Sequence, residues 1–579
     1  MNPECVRRGA LALWFLVLPL ALTVLSVVPA FAQSPAKPRV VITQDPELDD
    51  VNTVIRAVLY NNDFKLEGLI YASATMHWKG DGKGTTQYNA GRGQQTSHRW
   101  PLGNDKWVDA IVDAYTEVYA NLRVHNPGYM TPAELRSKVK WGNVEFAGDY
   151  SKDTDGSNLI KSLLLDNVPG PLFVTAGGGQ STIARALKSI YDQYAKTAQW
   201  ASIKEKVSKK LVIIPWGDQD GVNGRYIRPN WPDVQTWMLA MISFGYGAAR
   251  SHTPENQIYL GSTWTQANIS SRGVLGAMYR VWGDGKNMAQ GDVEDYFGFS
   301  GLTAEQLTGM GYRVWTPPGE KGSFISEGDT PTFMNLLDNG LRAYEGDGTW
   351  GGWGGLRNIA GGAAAGGGRG GAAIPAAPDD PGVAPRLAPA GSIANIPLPA
   401  SATAPAEGAA AAAGRGAGRG AGAGGPAGAG RGAGGGRGVA DGSLTRTQIV
   451  NAKFFGAAQQ DFAARLKWSV TPRFAGANHQ PNVQIKGARA VTAGPGAIVR
   501  LEGEVSDPDR DQVTTTWWQY NDAGTYPGDI TITGATSLVT TFQVPADAQP
   551  GQTIHVILEA TDHGTPALTR YQRVVVTVR

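Results

Sequence analysis

Apolar positions along the first 350 residues fall into two alternating textures. Val40, Val41 and Ile42 form a short continuous apolar run, and behind them Val51, Val54, Ile55, Val58 and Leu59 recur at i, i+3, i+4, i+7 and i+8. The first pattern predicts a buried strand and the second an amphipathic helix with one apolar face. Residues 68–73, 171–175 and 211–216 read as further strands. Residues 181–194 read as a helix with Ile183, Leu187, Ile190 and Tyr191 on one side. Strands alternating with amphipathic helices predict an α/β fold, a mostly parallel sheet with flanking helices. In such folds ligands gather at the carboxyl ends of the strands. The residues after Ile42, the run Gly177-Gly178-Gly179 and the run Trp216-Gly217-Asp218 all fall at predicted strand ends, so they are expected to share one crevice.

Further along the chain the period changes. Residues 445–468 read as a helix carrying Phe454, Phe455, Phe462 and Leu466, expected to return to the first domain. From Pro481 onward the texture is strictly alternating, with strands predicted at 498–505, 514–520, 540–544, 554–560 and 570–578. About a hundred such residues predict a C-terminal Ig/cadherin-like β-sandwich. Of the neighbours Trp517 and Trp518, one is expected in its core and the other facing outward, free to stack on a glycan ring.

Composition adds boundaries. Residues 360–438 are almost wholly Gly, Ala, Pro and scattered Arg, which cannot bury enough apolar surface to offset ordering entropy. The resulting layout is a signal peptide at 1–32, an α/β domain at 34–357, a disordered insert at 358–440, a returning helix within 441–478 and the sandwich at 481–579. The Arg-Gly runs of the insert lack interleaved aromatics, so no nucleic-acid partner is expected. Arg7 and Arg8 precede the apolar run 11–28, and Ala30-Phe31-Ala32 fits a small-x-small cleavage site. A secreted or periplasmic protein, with no membrane attachment after cleavage, is the expectation; an uncleaved anchor is the alternative. The sole cysteine, Cys5, lies inside that segment, which excludes a disulfide, a thiolate nucleophile or a Cys-based zinc site from the mature chain. A formal net charge of +2 indicates no strongly charged partner.

The chemistry concentrates in Thr43-Gln44-Asp45-Pro46-Glu47-Leu48-Asp49-Asp50, with three aspartates in six residues at the end of the first strand. Asp49 or Asp50 can cap the helix that follows, where free N–H groups favour negative charge. Three converging carboxylates repel one another unless a cation neutralises them, and hard oxygen ligands favour calcium or magnesium.

This string resembles the Asp-x-Asp-Pro-Gly-x-Asp-Asp signature of the inosine–uridine nucleoside hydrolases. The resemblance is closer to a divergent branch of secreted, nucleoside-hydrolase-like proteins described as cellulose-binding, with a C-terminal β-sandwich. It is carried by His77-Trp78-Lys79-Gly80-Asp81-Gly82-Lys83-Gly84, Gly217-Asp218-Gln219-Asp220, Ile227-Arg228-Pro229-Asn230-Trp231-Pro232 and Gly328-Asp329-Thr330-Pro331-Thr332-Phe333.

The resemblance implies one calcium ion held by Asp45, Asp50, Asp329 and a backbone carbonyl near Gly177. It implies N-glycosidic bond hydrolysis, with a calcium-bound water attacking the anomeric carbon, Asp45 as general base and Asp49 orienting ribose hydroxyls. Asp218, Asp220, Asn223, Arg225 and Asn230 lie in the sugar-binding region of the pattern, and His77 and Trp78 are candidates to line the crevice. The expected partner is a sugar or nucleoside-like small molecule, or cellulose or another polysaccharide if the site binds without cleaving.

Three positions depart from the family pattern. Thr43 replaces its first aspartate, Glu47 its glycine, and Gly328 the histidine that helps protonate the leaving base, so no leaving-group acid is assigned. Two further expectations are a site-rim or loop role for Trp350-Gly351-Gly352-Trp353-Gly354-Gly355, and a second calcium ion at Asp507, Asp509 and Asp511 with Glu504 and Asp562, against a solvated acidic turn.

Overall fold

The computed structural model describes residues 37–89, 92–101, 103–239, 244–289, 291–357, 378–384, 387–388, 449–450 and 452–579. The expected signal peptide lies outside the described residues, as does most of the expected insert. No helix among the described residues is long and apolar enough to cross a membrane.

The first domain is built on six strands, β1 (Arg39–Gln44), β2 (Lys65–Tyr71), β3 (Val139–Trp141), β4 (Leu172–Ala176), β5 (Leu211–Pro215) and β6 (Gln235–Thr236). They are all parallel, in the order β3-β2-β1-β4-β5-β6. Strand β1 is buried along its whole length because both faces are covered. Its side chains divide accordingly: Val40 and Ile42 pack with Val54 and Val58 of helix α1 (Leu48–Leu59) on one face. Val41 packs on the other face with Val174, Ile183 and Leu187. In this register Thr43 lies beside both Ile70 and Ala176, so the carboxyl ends of β1, β2 and β4 lie side by side.

Helix α1 starts earlier and is capped differently than the sequence suggests. Glu47 occupies the N-cap position without a side-chain cap bond, and Asp49 and Asp50 lie inside the first turn. Their carboxylates are directed elsewhere, as described below.

Helix α3 (Phe455–Ser469) returns to the first domain as expected; with α2 (Trp107–His125) and α1 it buries Phe455, Phe462, Leu466 and Trp468 in the largest core. Residues 445–448 of the expected helix lie outside the described residues. The sandwich strands appear at Ile498–Ser506, Val513–Gln519, Val539–Gln543, Thr553–Asp562 and Thr569–Val578, within two residues of expectation. Two further strands complete sheets of three and four strands, the larger mixed because Ala490–Ala493 runs parallel to Thr569–Val578.

One tryptophan expectation changes. Trp517 fills the sandwich core, but Trp518 is half-buried: it packs on the first domain, with Lys453 over its ring at 4.0 Å and its Nε1–H donated to Glu559 at 2.9 Å. Trp350 to Gly355 is a loop, and it contacts the sandwich. The carbonyls of Trp350 and Gly351 accept bonds from the buried Arg573 of the sandwich at 2.7 and 2.8 Å, and Trp353 is buried. Tyr520, Ile557 and Tyr571 of the sandwich join the first domain's core, so this stretch is a dock between them.

The expected insert is also not uniformly disordered. Leu387–Ala388 adds an antiparallel strand to Thr86–Asn89, the Gly382 carbonyl accepts from the Tyr150 N–H at 2.7 Å, and Asp380 pairs with Arg225 at 3.3 Å. Ala384 is buried beside Trp78, Phe146 and Ala147. Here the composition differs locally: Asp379-Asp380-Pro381-Gly382-Val383 supplies a turn and anchoring side chains that the flanking Gly/Ala runs lack.

Candidate active site

At the end of β1 the chain turns through Pro46 into α1, and the turn is held by its own carboxylates. Asp45 Oδ1 accepts the Glu47 N–H at 3.0 Å, and Asp50 Oδ1 accepts the Asp45 N–H at 3.2 Å. Asp49 points toward the loop before Asp329: its Oδ2 accepts from Ser326 Oγ at 3.0 Å and from the Gly328 N–H at 3.2 Å. The Tyr246 hydroxyl lies 3.3 Å from Glu47 Oε1 and 3.4 Å from Asp49 Oδ1. Asp45, Asp49, Asp50 and Asp329 are all buried.

Electrostatics mark these carboxylates as a group lacking a counterion. Burial, reinforced by Glu47, pushes Asp49 up to about 8. Burial and then the charges of Asp329 and Asp45 raise Asp50 well above its ordinary value; burial, Asp49 and Asp45 do the same to Asp329. Among the described residues no lysine or arginine forms an ion pair with any of these four aspartates. Asp45 Oδ2 and Asp329 Oδ1 have no hydrogen-bond partner. Arg99, bound to Asp292 and Glu294, is the cation whose field reaches Glu47.

Close approach crowds two glycines. A Cβ on Gly177 would lie 1.6 Å from Gln44 Oε1 and 2.6 Å from Asp50 Oδ1, and one on Gly328 would lie 2.6 Å from Asp49 Oδ2. Gly328 could therefore carry a side chain only if the Asp49 carboxylate shifted. Its neighbour Glu327 is not a substitute acid: it is fully buried in a paired network with Arg56 at 2.6 and 2.8 Å, Thr330 at 2.9 Å and the Tyr279 hydroxyl. The Gly177 carbonyl accepts a bond from the Gln219 side-chain amide.

The remaining sequence candidates separate. His77 enters the site, its Nδ1 3.5 Å from Asp45 Oδ2. Trp78 turns away into the small core with Phe146 and Ala384, because alternation along an extended segment sends neighbours to opposite sides. Asp218 accepts the Asn223 and Gly224 N–H groups at 3.0 and 2.9 Å, and Asp220 accepts from Ser181 and Val222, so both carboxylates brace the turn after β5. Asn223 donates to Gln180 at 3.0 Å and Asn230 to the Tyr226 carbonyl at 2.9 Å. Glu47, Tyr246 and Ser326 were not singled out from sequence as site residues. Glu47 was visible as the replaced motif glycine; nothing in the local pattern marks Tyr246.

In the sandwich, Asp507, Asp509 and Asp511 do come together. Asp507 Oδ1 accepts the N–H groups of Asp509 and Asp511 at 2.8 and 2.9 Å, and Asp509 accepts the His479 N–H at 2.7 Å. Glu504 is exposed, and Asp562 is buried with Oδ1 bound to Asn478 at 2.9 Å.

An α/β domain with an acidic crevice at its strand ends, joined to a β-sandwich, matches a known pair of family models. Residues 39–356 match the "Cellulose-binding Sde182, nucleoside hydrolase-like domain", and residues 498–578 match the "Cellulose-binding protein Sde0182, C-terminal domain". The chain belongs to the cellulose-binding, nucleoside hydrolase-like Sde182 family. A solved structure of a nucleoside hydrolase-related hypothetical protein from Saccharophagus degradans, associated with carbohydrate metabolism, shares the fold. It is 21% identical with a TM-score of 0.60, covering 94% of this chain and 100% of the other. No curated protein matches the chain. For a member of the Sde182 family, the resemblance inferred from the motifs and the two-part architecture are both met.

Proposed function

We propose that the crevice is the centre of an exported, calcium-dependent hydrolase of N-glycosidic bonds. The observation that carries the proposal is the set of buried, mutually repelling carboxylates formed by Asp45, Asp49 and Asp50 after β1 and by Asp329, with no lysine or arginine of the described residues paired to them and with Asp45 Oδ2 and Asp329 Oδ1 unbonded. Oxygen donors of this kind fit calcium, held by Asp45, Asp50 and Asp329 with a carbonyl near Gly177. Calcium bound there would supply electrostatic activation of water and anchoring of sugar hydroxyls. Asp45 has its Oδ1 fixed by the Glu47 N–H, which leaves Oδ2 to accept the proton of the attacking water. Asp49, held by Ser326 and the Gly328 N–H, retains an oxygen to orient sugar hydroxyls for attack at the anomeric carbon.

A second reading, a carbohydrate-binding protein that retains the site without turnover, is favoured by one observation. Gly328 has no side chain and Glu327 is consumed by Arg56, so neither can protonate a leaving group. Cellulose or a related polysaccharide is the partner in that reading, consistent with the family description.

Turnover separates the two. Full-length protein should release sugar from ribonucleosides or other N-glycosides, lose release on chelation, and lose about 10²–10⁴-fold in rate in Asp45→Asn. No chelator-sensitive, Asp45-dependent release from any of these substrates would leave the binding reading.

A further inference from the structure

His77 is held by reciprocal backbone bonds with Ala74, 2.8 and 2.9 Å long, which close a tight turn after β2. Its imidazole is wholly buried, yet neither ring nitrogen has a hydrogen-bond partner. A buried polar atom left unbonded costs about 1–3 kcal/mol, so two on one ring need a reason. Nδ1 lies 3.5 Å from Asp45 Oδ2, itself unbonded, and 3.9 Å from Glu47 Oε2.

An imidazolium salt bridge does not account for this arrangement. A charge-assisted N–H···O bond closes to about 2.7–2.9 Å, well short of either separation. A cation between the donors accounts for the 3.5 Å separation of His77 Nδ1 and Asp45 Oδ2, and the Glu47 carboxylate, 3.9 Å from His77, needs only a small side-chain shift to join it. Nitrogen and oxygen ligands at about 2.0–2.2 Å from one ion lie roughly 3–3.5 Å apart. The donor atoms of Asp45, Glu47 and His77 all fall within 4.8 Å of one another. Glu47, the residue that replaces the motif glycine, is the one partly exposed member and gives an ion a way in.

Donor type then selects the ion. Calcium takes oxygen ligands, whereas imidazole suits zinc, iron, nickel or copper. We infer that Asp45, Glu47 and His77 form a mixed nitrogen–oxygen site for a divalent transition ion of the zinc class. This site shares Asp45 with the all-oxygen set of Asp45, Asp50 and Asp329. The inference rests on reading the crevice as a metal site and not on hydrolysis.

Full-length protein stripped with a chelator and dialysed tests it by titration with zinc and with calcium in a calorimeter. Cobalt(II) serves as an absorbing probe of nitrogen ligation. The wild type should bind zinc and cobalt stoichiometrically, and more tightly than calcium. His77→Gln should weaken zinc and cobalt by at least about tenfold and change calcium affinity by less than about twofold. Glu47→Gln should weaken zinc similarly and serves where His77→Gln does not fold, as judged by circular dichroism. Unchanged zinc affinity in a folded variant, or a wild type that binds calcium alone, overturns the inference. Zinc binding through His77 without glycoside cleavage upholds it while removing the hydrolase reading, so the two fail separately.

Discussion

Helix α1 has a buried acidic cluster near each end, and the two differ in one respect. Beyond its C-terminus, Asp63 is bound by Arg465 at 2.9 Å, and Asp461 of α3 lies between Arg465 at 2.9 Å and Arg570 at 2.8 Å. Burial alone would raise Asp461, but Arg570 and Arg465 outweigh it and hold the carboxyl well below its usual range. At the N-terminus, Asp45, Asp49 and Asp50 face Asp329 with no arginine among them, and burial with mutual repulsion drives Asp49, Asp50 and Asp329 upward. The first arrangement ties helix to sandwich and is complete within the chain. The second has no arginine or lysine partner among the described residues and is the one proposed to take a cation.

The comparison predicts substitutions of opposite sign. Arg465→Ala strands Asp63 in the interior and leaves Asp461 with Arg570 alone, and should cost about 3–5 kcal/mol, read by urea denaturation. Asp50→Asn removes a repelling charge instead, so the metal-free variant should melt above the metal-free wild type. A drop in melting temperature would place Asp50 with the structural network.

Added cation should distinguish the clusters next. At a hundred times its dissociation constant, a bound ion stabilises the wild type by about 2.7 kcal/mol. Asp329→Asn should lose most of that shift and Asp461→Asn should keep it, measured as the change in melting temperature on chelation.

Asp49 and Asp461 should also respond to pH in opposite directions. Asp49, raised to about 8 by burial and Glu47, keeps its proton in the folded chain after the unfolded chain has released it near the ordinary aspartate value of about 4. The stabilisation it provides is therefore complete below about pH 4 and lost as pH rises toward 8, in the metal-free protein. Asp461 is depressed, so its contribution is present above about pH 4 and lost as pH falls further. Denaturation midpoints against pH should show both limbs, and Asp49→Asn should flatten only the alkaline one. The smallest effect is expected at Asp218, whose oxygens receive two backbone N–H groups. Asp218→Ala should cost about 1 kcal/mol and leave metal affinity unchanged, as suits a turn brace rather than a ligand.

Much of the fold was legible because its signals are local. The sandwich strands alternate with period two where one face is wet, which places their ends within two residues. The continuous apolar run of β1 and the helical stripe of α1 identify the turn between them. Site membership was less legible. Asp218, Asp220, Asn223 and Asn230 have the right chemistry and region, yet each carries a local hydrogen bond in its own loop. His77 and Trp78 are adjacent and equally plausible, but the extended backbone sends one to the crevice and the other to a core. Trp518 was expected at the surface and packs on the first domain, a contact between residues far apart in the chain. The anchored segment around Asp380 was hidden by averaging over a Gly/Ala-rich window.

The acidic turn after β1, its place at a strand end and the mutual repulsion of its carboxylates were already present in the order of residues. Strand, turn and helix preferences act over a few positions, and carboxylates repel wherever they converge. Only the tertiary structure decided which carboxylates converge unpaired. The parallel order β3-β2-β1-β4-β5-β6 brings His77 and Asp45 to one crevice, and Arg465 from four hundred residues downstream to Asp63. It also placed the Asp49 carboxylate against Gly328, where a Cβ would lie 2.6 Å from Oδ2. Distances between residues remote in sequence follow from sheet order and packing, which no local pattern encodes.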